Sequence, residues 1–312
     1  MLRAIDMTAY ITHNDCLQHE MVPGHPECPA RMHAIEDRLH AAGVFHFLQY
    51  HEAPKATVEQ LARVHDRRHI EELIAASPRS GLVHIDGDTS LNPHSIDAAL
   101  RAAGANVLAT DLVIDGKVRN AFCNVRPPGH HAEYHRAMGF CLFNNVAVGA
   151  AHAIERHGLA RVAIVDFDVH HGNGTEDIFL DDRRVMVCSS FQHPFYPYGD
   201  AESVAGHLIK VPLAAGSGGP EFRHAITESW LPELEAFQPQ MIFVSAGFDA
   251  HREDYLAHLN LVEDDYVWIT GKILDIADRY ADGRIVSTLE GGYALSALGR
   301  SATVHIKALL GV

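Results

Sequence analysis

The sequence has none of the usual marks of an exported or membrane-embedded chain. It contains no run of about 18 apolar residues, the length needed to span a bilayer. Its first residues, MLRAIDMTAYITHND, lack the basic patch and long apolar stretch of a signal peptide. The five cysteines are an odd number and include no CxxC pair, which favours free thiols over a disulfide framework. We therefore expect a protein of the reducing cytoplasm.

The sequence also has few positively charged residues. The 312 residues include 25 lysines and arginines against 40 aspartates and glutamates, for a net charge of −15. This balance argues against nucleic acid and against an anionic membrane surface as partners, and it leaves room for a cationic substrate. With 47% hydrophobic and 21% charged residues, the composition is that of a folded globular protein.

Two common catalytic signatures are missing as well. The segment HGNGTE does not supply the GxGxxG of a nucleotide-binding Rossmann domain. The segment AAGSGG around Ser217 does not match the GxSxG of a serine hydrolase. Both enzyme classes are therefore disfavoured.

What the sequence does contain is an alternation of short apolar runs and amphipathic stretches. The runs cover residues 120–125, 161–168, 184–191, 241–249 and 284–292. Continuous apolar runs bounded by turn formers are typical of buried parallel strands, and the stretches between them have helical spacing. With no internal repeat and no clear linker, residues 1–312 are predicted to form one α/β domain, a mostly parallel sheet with helices on both faces.

Polar segments follow four of these five runs. They are NVRPPGHHAEYH, DFDVHHGNG, SAGFDA and LEGGY. In open α/β sheets, ligands bind outside the carboxyl ends of the strands. Four strand ends that carry histidine, aspartate and tyrosine therefore indicate one shared pocket.

A metal site is predicted within this pocket. Residues two apart in a strand face the same side, so Asp168 and His170 can converge, and Asp249 closes another strand. Two carboxylates and one imidazole with an open position suit catalytic zinc or iron(II). The alternative, a capping aspartate with a core histidine, leaves the parallel placement of Asp249 unexplained.

A general base and an electrophile are also available. His130 and His131 follow the turn-forming RPPG, and Asp166 and Asn173 are their natural hydrogen-bond partners. Tyr293, which follows two glycines, can present its hydroxyl to an oxyanion opposite the metal. A loop tyrosine that simply packs remains the alternative for Tyr293.

These segments together resemble the zinc-dependent histone deacetylase superfamily, in particular its class II-like bacterial deacetylases. The superfamily also includes acetylpolyamine amidohydrolases and acetoin-utilisation proteins. The likeness runs from GHPECPAR near residue 24 to EGGY near residue 290, and Asn173 and the glutamate of EGGY favour class II. It implies a single catalytic domain with an eight-stranded, mostly parallel sheet of the arginase/deacetylase type.

The resemblance also implies a role for each matching residue. Asp168, His170 and Asp249 would bind zinc, His131 would be the general base and Tyr293 would polarise the acyl carbonyl. The remaining matches are His130 paired with Asp166, Asn173 supporting His131, Gly139 and Phe140 lining an acyl-lysine tunnel, Arg31 at its floor and Asp88 at its rim. Asp88 could equally be a loop cap. One structural potassium ion would use the carbonyls of Asp166, Asp168, His170, Ser190 and Phe191, and a second those of Phe179, Asp182 and Val185.

The substrate implied is an acylated amine. Polyamine-selective relatives place a glutamate shortly after the third zinc ligand, and Leu256 aligns at that position here. An apolar Leu256 favours acyl-lysine of a protein or peptide, although Glu253 or Asp254 could still serve an amine, which keeps acetylpolyamines and other small acylated amines open. A homo-oligomer is also left open.

Two other functions fit the motifs less well. An arginase-like enzyme with two manganese ions does not need the HHA pair or the tyrosine of EGGY. A non-catalytic acyl-lysine binder would be expected to lose His131 or Tyr293, and both are present.

Overall fold

The computed structural model describes residues 7–312, in which eight strands form one parallel sheet. The strands are β1 (Thr8–Thr12), β2 (Leu48–Glu52), β5 (Asn120–Cys123), β6 (Val162–Asp166), β7 (Val185–Gln192), β8 (Leu208–Leu213), β9 (Met241–Ala246) and β10 (Ile285–Leu289). Their order across the sheet is β2-β1-β5-β10-β9-β6-β7-β8, and every neighbouring pair is parallel. A small antiparallel hairpin, β3 (Val83–His84) and β4 (Ser90–Leu91), lies outside this sheet.

Helices cover both faces of the sheet. They are α1 (Ala30–Ala41), α2 (Val58–Leu61), α3 (Arg67–Ala75), α4 (Ser95–Ile114), α5 (Asn145–His157), α6 (Asn173–Phe179), α7 (Gly219–Phe237), α8 (Glu263–Tyr280) and α9 (Leu295–Leu310). In β5, Ala121 and Cys123 point into a core shared with α4 and α5, whereas Phe122 points into a second core shared with α1, α8 and α9. This alternation explains why the central strands are mostly apolar, since both faces of a parallel sheet are buried.

Local signals set the ends of the helices that flank the site. Asn144 caps α5 by accepting a hydrogen bond from Ala147 N–H at 3.1 Å, and Gly158 ends the helix with φ of 71°. In α4, Gly104 is required by packing, because a Cβ there would lie 1.9 Å from the carbonyl oxygen of Pro54. These features fix how the helical layers dock on the sheet.

The predicted sheet is confirmed, with its eight strands and helices on both faces. The five apolar runs correspond to β5, β6, β7, β9 and β10. Four of these strands end before their polar segments, so Asp168, His170 and Asp249 lie in the loops that follow β6 and β9. Among residues 7–312, no helix is both long enough and apolar enough to cross a bilayer.

Candidate active site

The four strands that precede polar segments are neighbours in the sheet, in the order β5-β10-β9-β6. Because all four strands are parallel, their carboxyl ends lie side by side and form one edge of the sheet, which carries the site. The register pairs Asp166 with Ser245 and Ser245 with Thr288, so the segments that follow emerge side by side. The observed strand order therefore brings the four polar segments together, as the prediction of one shared site requires.

Asp168, His170 and Asp249 converge at this edge, with one ligand atom from each lying within 4.8 Å of the others. His170 Nδ1 lies 3.0 Å from Asp168 Oδ1 and 3.3 Å from Asp249 Oδ2. Backbone N–H groups hold the carboxylates in place, since Gly291 donates to Asp168 Oδ2 at 2.8 Å and Val169 donates to Asp249 Oδ1 at 3.0 Å. Both carboxylates are buried.

The donor set fits a divalent cation. Within residues 7–312, Asp249 Oδ2 accepts no hydrogen bond, and its contact with His170 Nδ1 does not have hydrogen-bond geometry. A buried carboxylate oxygen with no donor is costly unless a cation completes it. Glycines make the close approach of the carboxylates feasible, because a Cβ at Gly247 or Gly291 would lie 2.0 Å from Asp168 Oδ2 or Asp249 Oδ2 respectively.

The electrostatics of the three groups lead to the same conclusion. Burial and the charge of Asp168 raise the pKa of Asp249 to about 6. Burial by itself would lower the pKa of His170, but its contacts with Asp168 and Asp249 outweigh burial and raise that pKa to about 10. The site thus draws in positive charge, which a divalent metal ion provides without protonating the ligands.

The adjacent histidines have different partners. His130 Nδ1 donates to Asp166 Oδ2 at 2.8 Å, and His131 Nδ1 lies 2.7 Å from Asn173 Oδ1. Asn173 Nδ2 in turn donates to Glu133 Oε1 at 2.7 Å. Because a carboxylate can only accept, this contact fixes the Asn173 amide with its oxygen toward His131. His131 therefore carries its proton on Nδ1 and keeps a free lone pair on Nε2.

Because their partners differ, the pKa values of His130 and His131 shift in opposite directions. Burial opposes protonation of both rings, but the charges of Asp166 and Asp168 raise the pKa of His130 well above its ordinary value. For His131, burial and the nearby His130 and His170 lower the pKa well below that value. The pair thus combines a cationic His130 with a neutral His131, the state required of a general base.

Tyr293 lies on the loop between β10 and α9. The guanidinium carbon of Arg31 lies 5.0 Å from the centre of its ring, and the Phe140 ring stands edge-on at 6.0 Å. Burial and the charge of Asp249 raise the pKa of Tyr293 well above its ordinary value. The phenol therefore keeps its proton and can donate a hydrogen bond.

Gly139 and Phe140 form a two-residue turn with φ of 58° and 69°, closed by paired hydrogen bonds between Met138 and Cys141. A Cβ at Gly139 would lie 2.6 Å from His131 Cδ2 and 2.9 Å from the Tyr196 hydroxyl. Gly139, one of the two predicted tunnel residues, therefore packs directly against the candidate base. Tyr196 was not identified from the sequence; the aromatic segment HPFYPYG after β7 was the available signal.

The remaining predicted residues lie around this centre. Arg31 is fully buried and donates to the carbonyl of Gly292 at 2.7 Å. Asp88 is exposed in the β3–β4 turn, where it accepts from Thr89 Oγ1 at 3.2 Å, and Thr89 Oγ1 accepts from Phe140 N–H at 3.0 Å. Leu256 is partly buried, and its N–H donates to Asp254 at 3.1 Å.

The two acidic residues beside Leu256 are already engaged. Glu253 Oε1 accepts from Arg300 at 2.7 Å, and this contact lowers the pKa of Glu253. The buried carboxylate of Asp254 accepts three backbone hydrogen bonds, from Tyr293, Ala294 and Leu256. The Asp254 carboxylate is therefore not presented to a substrate amine, whereas Glu253 forms an exposed ion pair with Arg300.

The predicted potassium sites differ in their surroundings. Residues Ser190 and Phe191 follow Ser189, which pairs with Asp166, so the first set of carbonyls comes from adjacent segments at the site edge. The second set of carbonyls lies at the opposite end of the strands, near the start of β7. There Phe179 O and Asp182 O each accept a backbone hydrogen bond, and Val185 O accepts from His207 Nδ1 at 2.9 Å.

A second group with metal-ligand chemistry joins α4 to α5 and has a different character. His152 Nε2 and His157 Nε2 lie 2.9 and 2.7 Å from Asp111 Oδ1. Arg63 donates to His152 Nδ1, so the proton of this ring is on Nε2 and points at Asp111. This cluster is satisfied by its own hydrogen bonds, unlike the group at the sheet edge.

Comparisons with known proteins agree with this geometry. Residues 25–309 match the family model described as "Histone deacetylase domain". The chain is 37% identical over 303 residues to the "Histone deacetylase-like amidohydrolase" of Pseudomonas aeruginosa, covering 95% of this chain and 80% of that protein. It is 35% identical to the "Probable deacetylase" of Archaeoglobus fulgidus, with 93% and 82% coverage. The crystal structure of the HDA15 HD domain superposes with a TM-score of 0.91 at 35% identity, covering 98% of this chain and 89% of that one.

Proposed function

The chain belongs to the histone deacetylase family, and from this premise we propose that it is a zinc-dependent amidohydrolase acting on the acylated side-chain amine of lysine. The acyl group would be acetyl or similar, and the substrate a protein or peptide. The observation that carries the proposal is the placement of His131, whose Nδ1 is hydrogen-bonded to Asn173, beside three convergent metal-ligand side chains. Hydrolysis needs a base and a metal site in this relation.

Asp168, His170 and Asp249 would hold the metal, zinc or iron(II) in the cell. When bound, the metal supplies Lewis acidity toward the amide carbonyl and toward water. The two carboxylates balance its charge, and the backbone N–H groups of Gly291 and Val169 keep both in position before a substrate arrives. Removing Asp249 would therefore remove both a ligand and half of the negative charge.

His131 would take a proton from a water molecule as the oxygen of that water attacks the carbonyl carbon of the amide. The free lone pair on Nε2 suits this step, because Nδ1–H is committed to Asn173. His131 then carries a proton that it can give to the amine nitrogen as the C–N bond breaks. The products are acetate and the free amine, and His131 returns to its neutral form.

Tyr293 and His130 would stabilise the charge that develops during this reaction. The protonated phenol of Tyr293 can donate to the oxyanion, and the cationic His130, paired with Asp166, places positive charge beside it. Gly139 and Phe140 would flank the methylene chain of the substrate, and Arg31 would lie below Tyr293 at the tunnel floor. Asp88 would contact the peptide at the rim.

Acyl-lysine is proposed over acetylpolyamine because Leu256 is apolar and the buried carboxylate of Asp254 is committed to backbone N–H groups. Glu253 is paired with Arg300, and Asp254 is committed to three backbone N–H groups. An apolar Leu256 side chain suits a peptide with a single acylated side chain. The excess of negative charge supports attraction of basic peptides.

Two further proposals concern the ions and the compartment. We propose one structural potassium ion, held by the carbonyls of Asp166, Asp168, His170, Ser190 and Phe191, and a second, held by those of Phe179, Asp182 and Val185. The carbonyls of the second set each accept a hydrogen bond, but a carbonyl oxygen keeps a second lone pair for a cation. All five cysteines are free thiols, which supports a reducing compartment such as the cytoplasm.

The test compares turnover of an acetyl-lysine peptide and an acetylpolyamine by the zinc-loaded protein. Asp249→Ala is expected to abolish both activities. Asp111→Asn, which alters the histidine-bonded carboxylate far from the site, is the matched control and should leave turnover unchanged. Faster hydrolysis of the peptide supports the proposal. Faster hydrolysis of the polyamine would overturn the substrate assignment, and no turnover of either would overturn the proposed activity.

A further inference from the structure

Asp254 makes an unusual set of contacts for a residue outside the proposed catalytic group. Its side chain is only 6% exposed, and all its hydrogen bonds go to backbone N–H groups. Asp254 Oδ2 accepts from Tyr293 at 2.7 Å and from Ala294 at 3.0 Å, and Oδ1 accepts from Leu256 at 3.1 Å. One carboxylate therefore joins the loop that carries Leu256 to the loop that carries Tyr293.

The Tyr293 loop needs such support because its own sequence supplies little. Gly291 and Gly292 precede the tyrosine, and Gly292 has φ of 122°, a conformation open mainly to glycine. Ala294 is the N-cap residue of α9 and has no side chain able to accept from the first turn. The Asp254 carboxylate, on another loop, instead accepts from the N–H groups of Tyr293 and Ala294, the two residues that lead into the helix.

The peptide unit that joins Gly292 to Tyr293 is held at both of its polar ends. Its carbonyl oxygen accepts from Arg31 Nε at 2.7 Å, and its N–H donates to Asp254 Oδ2 at 2.7 Å. These contacts come from opposite directions along one peptide plane, which fixes the torsions on either side of it. The direction of the Tyr293 side chain depends on these torsions, since its Cα follows that peptide directly.

We infer that Asp254 is a positioning residue that aims the Tyr293 hydroxyl at the reacting carbonyl. The inference rests on the proposed function, in which Tyr293 donates to the oxyanion. Misplacement of a catalytic group by about 1 Å can cost on the order of a hundredfold in rate. Through Leu256 N–H, the same carboxylate also ties the tunnel mouth to the catalytic tyrosine.

The experiment is a four-variant cycle on the zinc-loaded protein with an acetyl-lysine peptide. It uses the natural protein, Asp254→Asn, Tyr293→Phe and the double variant. A single amide oxygen cannot replace all three accepted hydrogen bonds, so Asp254→Asn is expected to lower kcat by about 10- to 100-fold with little change in KM. In the Tyr293→Phe background the same substitution should have no further effect, because no hydroxyl remains to be aimed.

Glu253→Gln is the matched control, since it alters the neighbouring exposed carboxylate and should leave kcat unchanged. A trifluoroacetyl-lysine peptide gives an independent readout. Its more electrophilic carbonyl needs less help from Tyr293, so Asp254→Asn should cost it less rate than it costs the acetyl peptide. If Asp254→Asn does not fold, Asp254→Glu, which keeps the charge, is carried through the same cycle and the same peptide comparison.

Equal loss of rate in the natural and Tyr293→Phe backgrounds would overturn the inference, because a structural role alone would act on both. An unchanged kcat in Asp254→Asn would also overturn it. Both results presuppose an active natural enzyme and leave the proposed function intact. Absence of turnover by the natural enzyme would instead reject the proposed function, and the inference with it.

Discussion

His131 and His130 are identical residues in adjacent positions, yet their surroundings shift their pKa values in opposite directions. The difference comes from their partners, an amide for His131 and a carboxylate for His130. Spacing along the chain identifies both histidines, but the direction of each ring depends on residues 36 and 42 positions away. Glu133, which sets the orientation of the Asn173 amide, gave no recognisable signal in the sequence.

Asn173→Asp is expected to move the acid limb of the pH profile of kcat/KM to higher pH. A carboxylate at this position would stabilise the protonated ring and raise the pKa of His131, which burial, His130 and His170 now hold low. Because the base must be neutral, activity would be lost at a higher pH as the solution is acidified. An unmoved acid limb would mean that residue 173 does not control the protonation of His131.

Tyr293→Phe is expected to lower kcat by about a hundredfold while KM and bound metal stay unchanged. The substitution removes one hydrogen bond that is stronger in the transition state than in the ground state. Steady-state kinetics and metal analysis of the purified protein measure both quantities. Tyr198→Phe is the control, since Tyr198 is 78% exposed, and a loss there of the same size would contradict the specific role of Tyr293.

At the scale of elements, the turn at Gly139 and Phe140 connects backbone conformation to the site. Gly139 has positive φ and packs on His131, whereas Gly81 has positive φ with no atom within 4 Å of a Cβ. Gly81→Ala should therefore lose about 1 kcal/mol of stability from backbone strain alone. Gly139→Ala should lose about 1–3 kcal/mol more, because its Cβ would also clash with His131 and Tyr196.

Only Gly139→Ala should also lose activity, because its new methyl group would displace His131. Urea unfolding of both variants and turnover of an acetyl-lysine peptide separate the two effects. Full activity in Gly139→Ala would show that the turn does not constrain the base.

The sequence pattern predicted the strands that carry the site better than those at the borders of the sheet. The central strands β5, β6, β9 and β10 are buried throughout and mostly apolar because both faces of the sheet are covered. The strands β2 and β8 lie at the two edges, where LQYHE is half exposed and LIKVPL contains a proline. Edge strands tolerate polar residues and proline, so their sequences resemble loops.

The sequence also could not predict which residues Asp254 contacts. The sequence placed Asp254 near Leu256 and left it open as a ligand for an amine. Its true partners, Tyr293 and Ala294, are about 40 positions further along the chain, and they meet it only because β9 and β10 are neighbours. Strand order across the sheet is a property of the whole fold, which local patterns do not encode.

At the scale of the whole molecule, a buried cluster of charges ties the first part of the chain to the sheet. Glu27 accepts from Arg31 Nη1 at 3.0 Å and from Arg126 Nη2 at 2.6 Å, and all three side chains are fully buried. Arg126 also donates to the carbonyl oxygens of Cys16 and His19. The cluster therefore joins the segment before α1, α1 itself and the loop after β5, directly below Tyr293.

Glu27→Gln is expected to destabilise the protein at neutral pH by about 3–5 kcal/mol, because it leaves two buried arginines without their counter-charge. Burial would raise the pKa of Glu27, but Arg126 and Arg31 outweigh it and lower the pKa to about 2. The ionised carboxylate thus contributes fully above its ordinary pKa of 4.5 and loses this contribution as pH falls toward 2.

The free energy of unfolding of both proteins, measured in urea at fixed metal concentration, should therefore converge as the solution is acidified below pH 4.5. Glu71→Gln, at a solvent-exposed position of α3, is the control and should leave the free energy of unfolding unchanged at every pH. A constant difference between Glu27→Gln and the natural protein would contradict the depressed pKa.

The most direct test of the account is hydrolysis of an acetyl-lysine peptide by the zinc-loaded protein in water enriched in heavy oxygen. If His131 activates water beside the metal ligands, acetate and free lysine side chain will appear in equal amounts, and each acetate will carry one heavy oxygen. The same reaction with His131→Ala should be slower by about 10²- to 10⁴-fold. An unchanged peptide, or amine released without labelled acetate, would contradict the central claim.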